Sequence, residues 1–227
     1  MIHLIGDIHG DPRPVLAYAR NHAISPNDTV VLLGDVGANF YRSVRDDRVK
    51  DALASLPCTV LCIHGNHEMR PESIPSYETR VWRGGTVYVE RAWPNLLFAK
   101  DGEIYDLEGR HAIAIGGAYS VDKEYRLSLG YGWWPDEQPS ESIKTYVASQ
   151  LASHPVDIVL SHTCPIQYIP AEALLPRLDQ STVDRSTEEW LGRIEQTTCY
   201  AAWYCGHWHI DKAIDKMHFI YRTWETL

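Results

Sequence analysis

Five loops in this chain end an apolar run with Asp, Asn or His. They are Gly6-Asp7-Ile8-His9-Gly10, Gly34-Asp35, Gly65-Asn66-His67-Glu68, Ser161-His162 and Gly206-His207-Trp208-His209. Every one of these side chains can bind a metal or move a proton. The donors are imidazole nitrogens with carboxylate and amide oxygens, and there is no thiolate. That set suits manganese or iron, with zinc as a further option, and its histidine content argues against a pure magnesium site. Brought together, the loops would form a two-metal site suited to hydrolysing a phosphoester.

Each motif alone is common; their strength lies in order and context. A buried strand ends, a glycine lets the backbone turn, and the next side chain projects from the sheet edge. Gly6, Gly34, Gly65 and Gly206 repeat that arrangement at Asp7, Asp35, Asn66 and His207. In Asp7-Ile8-His9 and His207-Trp208-His209, alternate residues of an extended chain share a side, so each pair can converge on a metal cluster.

The elements that must position these loops read as α/β. Ile2–Ile5, 29–33 and 59–63 are short apolar runs. Between them lie a helix opened by Asp11 as cap with Pro12 in its first turn, reaching about residue 22, and a charged helical stretch over 43–56. This β-α-β-α-β order predicts parallel strands with right-handed crossovers. Strands at 86–90, 96–100, 103–107 and 111–115, separated by turn residues, predict antiparallel hairpins. The stretch 116–139 is rich in Gly, Tyr and Trp and has no clear period. Ser140 caps a helix to about residue 153, followed by a strand at 156–160, a helix at 187–196, and strands at 201–205 and 219–224. No linker or repeat divides the chain, which predicts a single domain over residues 1–227.

Composition sets outer bounds. Hydrophobic residues at 44% and charged residues at 22% are ordinary globular usage. A net charge of −9 argues against general affinity for nucleic acid or anionic membrane. It permits an anionic substrate, even a nucleotide or nucleic-acid phosphodiester, because bound divalent cations reverse the sign locally. The cysteines Cys58, Cys62, Cys164, Cys199 and Cys205 form no CxxC and read as free, buried thiols in a reducing compartment. With no apolar stretch of membrane-spanning length and no leader before Asp7, the expected compartment is the cytoplasm. Composition does not indicate the oligomeric state.

The ordered set resembles the calcineurin-like metallophosphoesterase superfamily, whose pattern is DxH, GD, GNH[DE], H and GHxH; the match spans residues 3–209. The resemblance implies a four-layer α/β sandwich with two mixed β-sheets flanked by helices, and a dinuclear centre between their loops. Carried over by position, one metal takes Asp7, His9, Asp35 and His209, and the other takes Asp35, Asn66, His162 and His207, with Asp35 bridging. A water shared by two cations loses a proton near neutral pH and becomes the nucleophile. His67, whose neighbour Asn66 is a ligand, faces the leaving group and serves as general acid, as in the family. Glu68 supports the turn or a nearby histidine, and His3 and His64 could donate to the ligands from behind.

One departure bears on substrate. Serine/threonine protein phosphatases of the superfamily read GD-x-x-DRG, whereas here Ala38 replaces the Asp that hydrogen-bonds the catalytic His, and Asn39 replaces a phosphate-binding Arg. A pocket without that Arg pulls less on a dianionic monoester. The reading is therefore a phosphodiester or a small organic phosphate, with a protein phosphatase and a non-catalytic metal-binding scaffold as alternatives. Candidate substrate contacts are Arg70, Tyr119 and Arg126, with Lys123 and Tyr125 in the same segment. Trp133 and Trp134 read as an anchor for that segment or as a groove wall.

Overall fold

The computed structural model describes residues 1–176 and 178–227. Its first three strands, β1 (Ile2–Ile5), β2 (Thr29–Leu32) and β3 (Thr59–Cys62), are short apolar runs, and β1 and β2 are buried throughout. They pair in parallel, as their crossovers through α1 (Arg13–Asn21) and α2 (Val44–Ala54) require. The cap of α1 is Pro12, with Pro14 in the first turn. Asp11 instead accepts the Arg13 amide at 3.1 Å and grips its guanidinium at 2.7 Å.

The hairpins form, but they belong to different sheets. Strands β4 (Tyr77–Trp82), β5 (Gly85–Glu90) and β6 (Leu96–Ala99) are antiparallel to one another, and β6 lies parallel beside β3. Strands β7 (Ile104–Leu107) and β8 (Arg110–Ile115) open the second sheet. That sheet continues with β9 (Ile158–Ser161) and β10 (Ala202–Cys205), both parallel to β8. Helix α3 (Lys123–Ser128) forms inside the aperiodic stretch. Helix α4 (Glu141–Ser153) is capped by Ser140, whose Oγ accepts the Ile143 amide at 3.3 Å, and α5 (Ser186–Thr197) precedes β10.

Of the last strand expected over 219–224, only Phe219 lies in a strand, and residues 220–224 form a bend. The Asp211 carboxylate accepts the amides of Tyr221, Arg222 and Thr223 and bends the chain there. Strands β11 (Lys212–Ile214) and β12 (Met217–Phe219) therefore stay in the second sheet, while β13 (Glu225–Thr226) pairs antiparallel with β1. The sheets run β13-β1-β2-β3-β6-β5-β4 and β11-β12-β10-β9-β8-β7.

Alternation along the strands makes the layers. Val31, Leu33 and Leu61 face Ala112, Ile158 and Leu160 across the inter-sheet core. Val30, Leu32 and Val60 turn the other way, against Val15, Val49 and Leu53 of α1 and α2. Val147 of α4 and Trp190 and Ile194 of α5 cover Ile113, Val159 and Trp203. The result is the four-layer α/β sandwich with two mixed sheets. Cys58, Cys62, Cys164 and Cys205 are buried free thiols, whereas Cys199, expected inside, is exposed beyond the end of α5. Among the described residues no helix is long and apolar enough to cross a membrane.

Candidate metal centre

Strands β1, β2 and β3 of one sheet and β9 and β10 of the other all present their C-terminal ends to the same edge of the sandwich. Asp7 and His9 follow β1, Asp35 follows β2, Asn66 and His67 follow β3, His162 follows β9, and His207 and His209 follow β10. Potential ligand atoms of Asp7, His9 and His209 lie within 4.8 Å of one another, as do those of Asp7, Asp35 and His162, and those of His9, Asp35 and His67. Asn66 joins through Oδ1, 2.9 Å from His162 Nε2. His207 joins through its ring, centred 5.0 Å from that of His162.

The convergence does not come from extended-chain alternation. His9, Asp35, His207 and His209 all have positive φ (44°, 46°, 65° and 51°). Left-handed backbone in bulky residues is costly and persists only where the surroundings impose it. Here the loops lock one another: the His9 amide donates to the Asp35 carbonyl, the His67 amide to Asp35 Oδ1, and the His207 amide to Asp7 Oδ1. Two glycines make room for this. A Cβ on Gly65 would run into the Asp35 carboxylate, and one on Gly206 into that of Asp7.

The donor set fits cations. His162 Nδ1 lies 2.8 Å from the Leu33 carbonyl, which can only accept, so that nitrogen carries a proton. When the ring is neutral, its Nε2 lone pair faces Asn66 Oδ1 at 2.9 Å. The amide is fixed in that sense because its Nδ2 donates to Ser120 Oγ at 2.9 Å. Two acceptors facing each other at that distance call for a positive charge between them. His9 Nε2 and His209 Nε2 lie 2.9 Å apart, and His209 Nε2 also reaches Asp7 Oδ2 at 3.1 Å.

The electrostatics agree. Burial opposes ionisation of Asp35, yet His162, His67 and His9 together hold its carboxyl below the usual range. Burial, with His162 beside it, pushes His207 down to about 3, leaving it a neutral donor. His209 is raised by its hydrogen bond to Asp7 Oδ2 at 3.1 Å and stacks on Tyr221.

His67 stands at the rim. Its ring stacks near Phe40, and its Nε2 lies 3.6 Å from Asp122 Oδ1. Asp122 thus brings a carboxylate to the histidine from beyond β8, where Ala38 offers none. Glu68 supports the turn: its Oε1 accepts the Gly65 and Val36 amides at 3.2 and 3.4 Å.

Above the ligands opens a cavity of about 460 Å³ lined by His9, Asp35, Asn66, His67, His207 and His209, and further out by Tyr119, Asp122, Leu174, Leu178, Val183 and Arg185. Arg70 and Arg126 are not brought to it. Arg70 is buried in an ion pair with Asp101 at 2.6 Å and donates to the Asp136 carbonyl. Arg126 is 2% exposed and packed against Asp122, Ser120 and Glu137, where it braces the carbonyl of Asn66. Asp101 draws Arg70 inside and Glu137 draws in Arg126, and neither carboxylate is marked by spacing along the chain. Lys123 lies over the Trp133 ring, and Trp133 donates to Glu137, which makes it an anchor. Tyr125 is exposed away from the cavity. His3 pairs with Tyr18, and neither nitrogen of His64 has a hydrogen-bond partner, so among the described residues neither histidine donates to a ligand.

The model of the calcineurin-like phosphoesterase family matches residues 1–211. The chain belongs to that family. Calcineurin-like phosphoesterases are hydrolases of phosphoesters, and membership implies divalent metal ions, for which the residues gathered here are possible ligands. No curated protein matches significantly. Among solved structures, the chain is similar to a phosphopantetheinyl hydrolase from Mycobacterium tuberculosis, with 18% identity over 97% of this chain and 87% of that one and a TM-score of 0.46. It is also similar to a protein of unknown function from Aquifex aeolicus, with 14% identity over 72% and 80% of the two chains and a TM-score of 0.35.

Within this calcineurin-like site, sequence reasoning missed Asp122, Ser120, Arg185 and the apolar residues of the cavity wall. Asp122 and Ser120 sit in the segment singled out for its charges and aromatics, which was the available signal. Nothing in the local sequence marks Arg185 or the leucines.

Proposed function

We propose that this protein is a dinuclear metal-dependent phosphoesterase that hydrolyses a phosphodiester or a small organic phosphate, with His67 as general acid. The observation that carries the reading is the convergence of imidazole, carboxylate and amide ligand atoms beneath one cavity, with His67 at its rim. Asp7, His9, Asp35 and His209 would hold one ion and Asp35, Asn66, His162 and His207 the other; manganese and iron suit these donors best. When bound, such ions supply positive charge to phosphate oxygens and acidify water.

The remaining work belongs to side chains of this chain. The Leu33 carbonyl and Ser120 hold His162 and Asn66 in the orientation that leaves Nε2 and Oδ1 free. The Asp35 carboxylate, held by the His67 amide, fixes the turn that carries the general acid. His67 delivers a proton to the departing oxygen, and the charge of the Asp122 carboxylate, 3.6 Å from its Nε2, favours the protonated imidazole that the delivery needs.

Diester preference is supported by charge. Arg70 and Arg126 point into protein, and the outer cavity carries Asp122, Asp184 and Glu188 against Arg185. A dianionic monoester therefore finds little attraction beyond the metals. One observation favours the protein-phosphatase alternative, because Asp122 restores a carboxylate beside the general acid. Turnover of bis-p-nitrophenyl phosphate, p-nitrophenyl phosphate and a phosphopeptide with Mn²⁺ separates the readings. The diester should be hydrolysed fastest, a strong preference for the phosphopeptide would reverse the assignment, and bound metal without hydrolysis of any ester would leave a scaffold.

A further inference from the structure

The proposed hydrolysis leaves one part of the cavity without a role. Its outer wall is built from Leu174, Leu175, Leu178 and Val183, with Trp208 and Tyr119 closing the sides. Leu175 is 56% exposed, and Leu174, Leu178 and Val183 are each half-buried, so apolar surface is left facing solvent beside a reactive centre. Such a surface is costly in water unless something covers it.

The wall is held in place by polar contacts behind it. Asp179 Oδ1 accepts from the Ser181 amide and hydroxyl, Arg185 donates to Gln180 Oε1 at 2.7 Å, and Glu172 pairs with Lys212 at 2.5 Å. The guanidinium of Arg185 is thus tied to the wall and does not stand as an open anion receptor. Asp122, Asp184 and Glu188 also line the cavity, so a second phosphate on the substrate would meet repulsion there.

We infer that this wall receives an uncharged aliphatic arm esterified to the phosphate, and that Leu174 and Leu178 set the enzyme's preference for the length of that arm. The inference rests on the hydrolytic reading above and names its substrate class: esters of an apolar alcohol. It commits to the substrate's own arm because the apolar wall is continuous with the candidate ligands in one cavity of about 460 Å³. That volume is in the range of small-molecule sites that bury most of their ligand.

The test uses methyl, butyl and octyl 4-nitrophenyl phosphate diesters with Mn²⁺ and the full-length protein. Water adds across the phosphorus–oxygen bond to nitrophenol, nitrophenolate leaves, and the alkyl phosphate remains, so one chromophore reports all three. Burial of methylenes predicts that kcat/KM rises about tenfold or more from methyl to butyl, mainly through KM. Leu178→Asp and Leu174→Asp, both at half-buried positions, should each collapse the butyl-to-methyl ratio toward unity. Equal kcat/KM for all three esters in the wild type would overturn the inference alone, as would an unchanged ratio in both variants. No turnover of these esters would overturn the inference, and no turnover of p-nitrophenyl phosphate beside them would overturn the hydrolytic reading as well.

Discussion

Asp122→Asn isolates the contribution of the carboxylate beside His67. The carboxylate oxygen lies 3.6 Å from His67 Nε2, and the two side chains are 35% and 26% exposed. At that separation a unit charge is worth about 1 kcal/mol in water and about 5 kcal/mol at an effective dielectric near 20. Partial exposure, and the Arg126 guanidinium that shares the carboxylate, place the effect near the lower end, at about 1–2 kcal/mol. Arg126 keeps Glu137 and Ser120 in the variant, so the loop should hold. Burial already holds the His67 pKa below that of an ordinary imidazole, while Asp35 and Asp122 pull it back up. A general acid must be protonated, so losing the Asp122 charge moves the alkaline limb of the pH–rate profile to lower pH. The assay is kcat against pH for an alkyl ester and a nitrophenyl ester, with metal content measured in parallel. The alkyl ester should slow by about 5- to 30-fold, with metal content unchanged and the nitrophenyl ester slowed less. An unmoved alkaline limb together with equal losses for both esters would refute the role given to Asp122.

Three further perturbations probe the same site. His67→Ala should retain its metals and slow alkyl esters by about 10²- to 10⁴-fold, while activated nitrophenyl esters lose much less; equal losses would remove His67 as the acid. Gly206→Ala places a Cβ against Asp7 Oδ1 and the Leu33 carbonyl, so calorimetric titration with Mn²⁺ should show affinity weakened by about 10- to 100-fold. Burial, and then the charge of Asp35, push Glu68 up to about 8. Because the folded value is raised, the stability that Glu68 lends is complete below its ordinary pKa and is lost as pH climbs through about 8. In chelated protein, Glu68→Gln keeps the acceptor for Gly65 and Val36 and should lose less melting temperature than wild type between the ordinary glutamate pKa of 4.5 and about pH 8.

How much of this was legible along the chain depended on how local each cause is. The glycine-turn-ligand grammar is written at each strand end, and parallel strand order carries those ends to one edge, so Asp7, Asp35, Asn66, His162 and His207 could be picked out without coordinates. Strand β4 could not, because Tyr77–Trp82 is a polar edge strand with hardly any apolar alternation. The left-handed turns at His9 and His209 are hidden in the sequence because the preference of histidine for positive φ is too mild to override the extended pattern of Asp7-Ile8-His9 and His207-Trp208-His209. Charge and nearness along the chain point Arg70, three residues after His67, and Arg126, in the segment that follows β8, toward phosphate, but Asp101 and Glu137, brought in by folding, claim them instead. The approach of Asp122 to His67 and the leucine wall are likewise products of tertiary packing.

The central claim is that Asp7, His9, Asp35, Asn66, His162, His207 and His209 assemble a two-metal hydrolytic centre. Its most direct test is turnover of bis-p-nitrophenyl phosphate by chelated protein as Mn²⁺ is titrated back, for wild type and Asp35→Asn side by side. Activity in the wild type should rise to saturation at two equivalents of metal and stay absent in Asp35→Asn, which lacks the carboxylate charge proposed to be shared by both ions. Saturation of binding at two equivalents with no hydrolysis, or full activity in chelated protein, would contradict the account.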